Sequence, residues 1–290
     1  MTSWLKISLL SLSLFSFGAS ACDIHGHTGF APENSLRIPV GQKALGGISD
    51  VQFNKVMDRV SALFTSAVEA TGKKFVIERR WTDENVNAYA HQQTPGVDTI
   101  VMFGGLARHI ETTEDAMALV ACHELGHHLG GAPKKAGVQQ MWASNEGQAD
   151  YWGSMKCLRH YFEQDDNVTI VSKMTIPANV LSNCQLVYKN ANEIALCERS
   201  AMAGLATAKL LNAIMQGKTP VNFVTPDTSV VAQTNDQHPH AQCRLDTYFQ
   251  ASLCDHGFSE LVSSTDANTG VCSLRNGDTV GNRPVCWYKP

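Results

Sequence analysis

The chain has no extended run of Lys or Arg, and its formal charge is only −4. Association driven by attraction to nucleic acid or to an anionic membrane has no support in it. It also lacks any uninterrupted apolar stretch of the roughly 20 residues that a spanning helix needs. Ala201 to Met215 comes nearest, but Lys209 and several small residues mark a packed helix instead. No paired Cys-x-x-Cys spacing occurs, which argues against a cysteine-based zinc finger. Aromatic residues are sparse at 8%, yet 43% of the 290 residues are hydrophobic, enough to bury one or two ordinary cores.

Cysteine is not scarce. The nine cysteines are Cys22, Cys122, Cys157, Cys184, Cys197, Cys243, Cys254, Cys272 and Cys286. Lys6, the apolar run Ile7 to Phe17 and the small-x-small site Ala19-Ser20-Ala21 read as a signal peptide over residues 1–21. Export and cysteine number together imply disulfides. The close spacings Cys184/Cys197, Cys243/Cys254 and Cys272/Cys286 suggest local loops, although connectivity is not fixed by spacing, and the odd count leaves a thiol over. Cys22 directly after the cleavage point offers a lipid anchor as an alternative to a free exported protein. The expected location is periplasmic or secreted.

Residues 22–47 are rich in turn formers and read as an extended lead-in, with His25-Gly26-His27 as solvated loop histidines. Asp50 to Thr71 has the apolar spacing of a core helix, with Ser49 and Gln52 as a capping box. Phe75 to Arg80, Asn87 to Ala90 and Thr99 to Phe103 read as strands. An edge strand beside a metal centre can take an extended substrate by strand addition, and the second or third of these is the expected edge.

Thr112 with Asp115 is the expected cap of a helix ending at Gly130-Gly131. That helix carries His123-Glu124-Leu125-Gly126-His127. Positions i and i+4 share one helical face, so His123 and His127 can present two imidazoles to one metal ion. Glu124 can then act as base toward water at the metal's open position. Downstream, Ser144 is the expected cap of a second helix bearing Glu146 and Asp150 four residues apart. Glu146 can complete a two-His, one-Glu site, and Asp150 can fix the tautomer of a ligand histidine. Asn192 is the expected cap of a helix from Glu193 to Met215. Residues 217–237 form a long loop that leads to His238-Pro239-His240, and Leu245 to Leu253 reads as a short helix.

With these elements in place the chain resembles the gluzincin metallopeptidases of the HtpX and CaaX-prenyl-protease type. The resemblance rests on Asn87-Ala88-Tyr89-Ala90, Glu114-Asp115, the His123 to His127 motif, Glu146-Gly147-Gln148-Ala149-Asp150, and His238-Pro239 followed by Arg244. It implies an α+β, mainly helical, zincin-like domain with a small sheet beside the motif helix. It further implies one zinc ion held by His123, His127 and Glu146, with Glu124 as general base. To His238 and Arg244 it assigns a catalytic role, as oxyanion donors or a metal-facing gate. The chain departs from the membrane-embedded branch in having no spanning helix.

The expected organisation is a signal peptide over 1–21, a lead-in over 22–47, a metallopeptidase domain over 48–253 and a disulfide-stapled extension over 254–290. The expected function is zinc-dependent hydrolysis of peptide or protein substrates. The competing reading is an exported zinc-binding chaperone or binding module without turnover. A zinc hydrolase of non-peptide bonds would use the same parts.

Overall fold

A computed structural model describes residues 27–41, 46–137 and 141–290. The expected signal peptide, Cys22, His25 and Gly26 lie outside the described residues. Strands β1 (His27–Gly29), β2 (Lys74–Arg80), β3 (Ala88–His91) and β4 (Val97–Phe103) form one sheet of order β1-β3-β4-β2. β4 runs parallel to β2 and antiparallel to β3, and β1 is antiparallel to β3. Neither expected edge strand is an edge. β4 is flanked on both sides, and the outer side of β3 is taken by β1, too short a segment to announce itself by periodicity.

Helix α1 (Asp50–Glu69) starts at Ser49, whose hydroxyl accepts from Gln52 N–H while Gln52 Oε1 accepts from Ser49 N–H. Phe53, Val56, Met57, Val60, Phe64 and Val68 make its buried stripe. A short helix α2 (Gly104–Ala107) leads to α3 (Glu114–Leu129), on which every residue from Ala116 to His127 is buried. Such a helix is the axis of a core, and α1, β3, β4 and α8 (Ala191–Ile214) pack around it.

The helix caps lie close to, but not at, the expected residues. Thr113 caps α3, while Thr112 donates its hydroxyl to the Leu106 carbonyl at 2.7 Å. Asn145 caps α4 (Glu146–Trp152), and Ser144 turns its hydroxyl to the Gly131 carbonyl. Asn190 caps α8 in place of Asn192. In each case the neighbouring residue has comparable capping chemistry, and tertiary contacts choose between them.

The chain of α4 continues through a wider π-type segment (Gly153–Leu158) into α5 (Arg159–Phe162). Two further helices, α6 (Asn167–Val171) and α7 (Ala178–Val187), bury only a few residues each, Asn167 and Val171 on the first and Val180 and Cys184 on the second. The last long helix is α9 (Ala241–Ser252).

Among the described residues four disulfides are formed. Cys184–Cys197 is the local loop expected. The other local pairings are replaced by a nested pair, Cys243–Cys286 around Cys254–Cys272. Cys122 within the motif helix bonds Cys157 of the π-type segment, tying α3 to the continuation of α4. Residues after Cys254 pack against α4 through Tyr151, Met155 and the fully buried Trp287. Among the described residues no helix is long and apolar enough to cross a membrane.

Candidate metal centre

Two helices meet edge to edge to build the site. Gly126 permits the approach, since a Cβ there would stand 2.8 Å from the Ala149 carbonyl of α4. Gly147 does the same on the other side of α4, where a Cβ would reach within 2.1 Å of the Trp287 ring. These contacts bring Glu146 beneath the two histidines. Its Oε2 lies 3.3 Å from His123 Nε2 and its Oε1 lies 3.7 Å from His127 Nε2. The ligand atoms of His123, Glu124 and His127 all lie within 4.8 Å of one another.

The outer nitrogen of each histidine is engaged. His123 Nδ1 meets Asp150 Oδ1 at 2.8 Å, and His127 Nδ1 meets the Ser144 carbonyl at 2.8 Å. A histidine that donates from Nδ1 turns an Nε2 lone pair inward. By contrast, His123 Nε2, His127 Nε2 and both carboxylate oxygens of Glu124 are buried without a hydrogen-bond partner, and the Glu146 carboxylate has charge contacts with Lys135 and the imidazoles. Four such atoms in one place, beside the Glu146 carboxylate, demand a compensating group. Nitrogen and oxygen donors in this number fit a zinc-type divalent cation.

Charge around the centre is arranged asymmetrically. Burial would raise Glu146, but His238, Lys135 and His127 hold its carboxyl well below the usual range. Burial pushes the Glu124 carboxyl up to about 8, opposed by the charge on His123. Burial also lowers His127, well below the ordinary imidazole value, so it stands as a neutral donor. Asp150 is held ionised against its burial by Arg244 and His123.

The site residues read from the sequence are all brought together, in two tiers. His123, Glu124, His127 and Glu146 face one another. His238 enters from the long loop with its side chain buried, its Nε2 3.5 Å from Glu146 Oε2 and donating to the Gly29 carbonyl at 2.7 Å. Arg244 does not face the two ligand oxygens. It is fully buried behind Asp150, gripping that carboxylate and donating from Nη1 to the Phe30 carbonyl at 2.5 Å.

Two residues, Lys135 and Tyr248, enter the site unannounced. Lys135 places its ammonium 2.9 Å from Glu146 Oε1. It comes from a loop pinned by the Lys135 N–H to Ala143 carbonyl bond, for which the sequence carries no periodic signal. Tyr248 donates its hydroxyl to Asp150 Oδ1 at 2.7 Å, and its i+4 spacing from Arg244 was a legible cue. The Asn87 side chain clasps the backbone of Ala31. His128 turns away to the sheet, 3.1 Å from the Thr99 carbonyl.

A family model described as peptidase family M48 matches residues 50–247. The chain belongs to that family. The matched span runs from the first residue of α1 to within α9 and includes His123, Glu124, His127, Glu146, Asp150, His238 and Arg244. No curated protein and no solved structure matches the chain.

Proposed function

We propose that this M48 member is an exported zinc-dependent metalloendopeptidase. One observation carries the reading: four buried polar atoms of His123, Glu124 and His127 converge beside the Glu146 carboxylate with no hydrogen-bond partner, while the outer nitrogens of both histidines are held. His123, His127 and Glu146 would hold the zinc ion. Bound there, zinc acidifies water toward neutrality and polarises the peptide carbonyl.

The chain's own groups do the rest. Glu124 takes the proton from water and returns it to the leaving amine, a task suited to a carboxyl raised toward neutral pH by burial. Its two oxygens have no structural partner, which favours turnover over a purely binding role. Asp150 fixes the tautomer of His123, and the Ser144 carbonyl fixes that of His127. His238 directs an N–H toward a carbonyl beside Glu146, the placement required of an oxyanion donor. Arg244 is a positioning residue that acts through Asp150. Export is supported by four disulfides, which persist in oxidising compartments.

The test is Glu124→Gln, assayed on an unfolded protein with metal content measured alongside. The expected result is one zinc per chain with turnover reduced about 10²–10⁴-fold. A zinc-loaded Glu124→Gln protein that cleaves at the wild-type rate refutes the assignment.

A further inference from the structure

We propose that residues 27–31 lie in the cleft of this peptidase as a bound substrate, presenting the Gly29–Phe30 peptide bond for hydrolysis by the chain's own site. The inference rests on the metalloendopeptidase reading.

Strand addition is the first support. β1 lies antiparallel on the outer side of β3, pairing His27 with His91, Thr28 with Ala90 and Gly29 with Tyr89. β3 packs against the helix that carries Glu124, so its outer side is where an extended peptide would be taken up beside that residue.

The second support is how the backbone beyond the strand is held. Phe30 N–H donates to the Ala88 carbonyl at 3.0 Å. The Gly29 carbonyl accepts from His238 Nε2 at 2.7 Å, and the Phe30 carbonyl accepts from Arg244 Nη1 at 2.5 Å. The Asn87 side chain accepts from Ala31 N–H and donates to the Ala31 carbonyl, both at 3.0 Å. A permanent edge strand needs only ladder bonds. Here three side chains grip successive peptide units, and two of them belong to the metal centre. His238 Nε2 joins the Gly29 carbonyl to the Glu146 carboxylate, 3.5 Å away, which sets this carbonyl beside the expected cation.

The flanking side chains define a substrate class. Phe30 is fully buried, its ring edge-on to His123 with centroids 5.6 Å apart and the Arg244 guanidinium 4.9 Å above it. At Gly29 a Cβ would stand 2.9 Å from the Tyr89 ring. The site therefore selects extended segments with glycine on the carbonyl side of the bond and a large aromatic residue on the amine side.

The reaction is hydrolysis. The oxygen of water bonds to the Gly29 carbonyl carbon, the bond to the Phe30 nitrogen breaks, and a proton passes by way of Glu124 to that nitrogen. A carboxylate at Gly29 and an amine at Phe30 result. The chain after the break stays moored to the domain, since Asn34 Nδ2 donates to the Val86 carbonyl and Ile38 N–H to the Glu84 carbonyl. Among the described residues, the fragment ending at Gly29 keeps the short β1 ladder and the His238 contact at its new carboxylate, and its departure opens β3 to other substrates.

The experiment follows the full chain, loaded with zinc, by intact mass and N-terminal sequencing. A chain beginning at Phe30 is expected in the wild type, forming at a rate independent of protein concentration, and is expected to be absent in Glu124→Gln. A readout that needs no turnover is hydrogen exchange in the Glu124→Gln protein. There the Phe30 and Ala31 amides should exchange on the order of 100-fold slower than in an unfolded chain. An intact Gly29–Phe30 bond in a preparation that hydrolyses an unfolded protein overturns the inference and leaves the peptidase reading standing. Fast exchange at both amides overturns it as well. A preparation that cleaves neither the bond nor any protein overturns both.

Discussion

Arg244 grips Asp150 in a fork, with Nε on Oδ2 at 2.7 Å and Nη2 on Oδ1 at 2.6 Å, both side chains fully buried. The pair stands behind His123, whose Nδ1 shares the same Asp150 oxygen. Removing one partner of such a pair strands the other charge in the interior. Arg244→Met should therefore cost about 3–5 kcal/mol of stability, read by denaturant unfolding. Zinc affinity should fall about 10–100-fold as His123 loses its orientation, read by competition with a chromophoric chelator. Arg244→Lys restores charge without the fork, and should recover only part of each loss. Unchanged affinity in Arg244→Met would separate Arg244 from the metal centre.

Trp287 and Gly147 form a second test pair. Gly147→Ala drives a methyl into the Trp287 ring and should cost about 1–3 kcal/mol. Trp287→Ala empties a fully buried site and should cost about 3–5 kcal/mol. The double variant should be more stable than the sum of the single losses implies, because the added methyl then enters the space left by the ring. Thermal unfolding of the four proteins checks the cycle, and strict additivity would contradict this contact.

Chelation should lower thermal stability. Metal bound only to the folded state at 100 times its Kd contributes about 2.7 kcal/mol, which for a domain of this size corresponds to a fall of roughly 5–10 °C on removal. Added zinc should restore the midpoint. A midpoint indifferent to chelator, in protein verified to hold zinc beforehand, would remove the cation from the folded structure.

Asp246 gives a pH dependence away from the metal. Burial raises its carboxyl from 3.8 to about 6, although Asp227 N–H and Gln242 donate to it. The folded protein then binds this proton more tightly than the unfolded chain. Its contribution to stability is fully present below about 4 and is lost as pH rises through about 6. Asp246→Asn should accordingly be more stable than wild type at pH 7, by no more than about 1 kcal/mol once solvent screening at this partly exposed group is allowed for. The difference should vanish near pH 4. A constant difference across that range would assign it to packing.

The candidate site was legible as a cluster because its pattern is written locally. His123 and His127 share a helical face, and Glu146 and Asp150 repeat the device on the next helix. Core helices such as α1 and α3 were readable for the same reason. What escaped the sequence was set by distant contacts. Thr112 and Thr113 cap equally well, and only the Leu106 carbonyl decides between them. The nested pairing of Cys243 with Cys286 depends on Trp287 docking beneath α4, which no spacing encodes. β1 is three residues long, so it carried no alternation to detect.

The docking of the tail beneath α4 also bears on biosynthesis. Arg283, which donates to Gln148 of α4, lies 135 residues further along the chain. A nascent polypeptide can therefore pack α4 on α3 well before the segment that covers the other side of α4 has been made. The packing around Glu146 is thus completed only once Arg283 and Trp287 have been added to the chain.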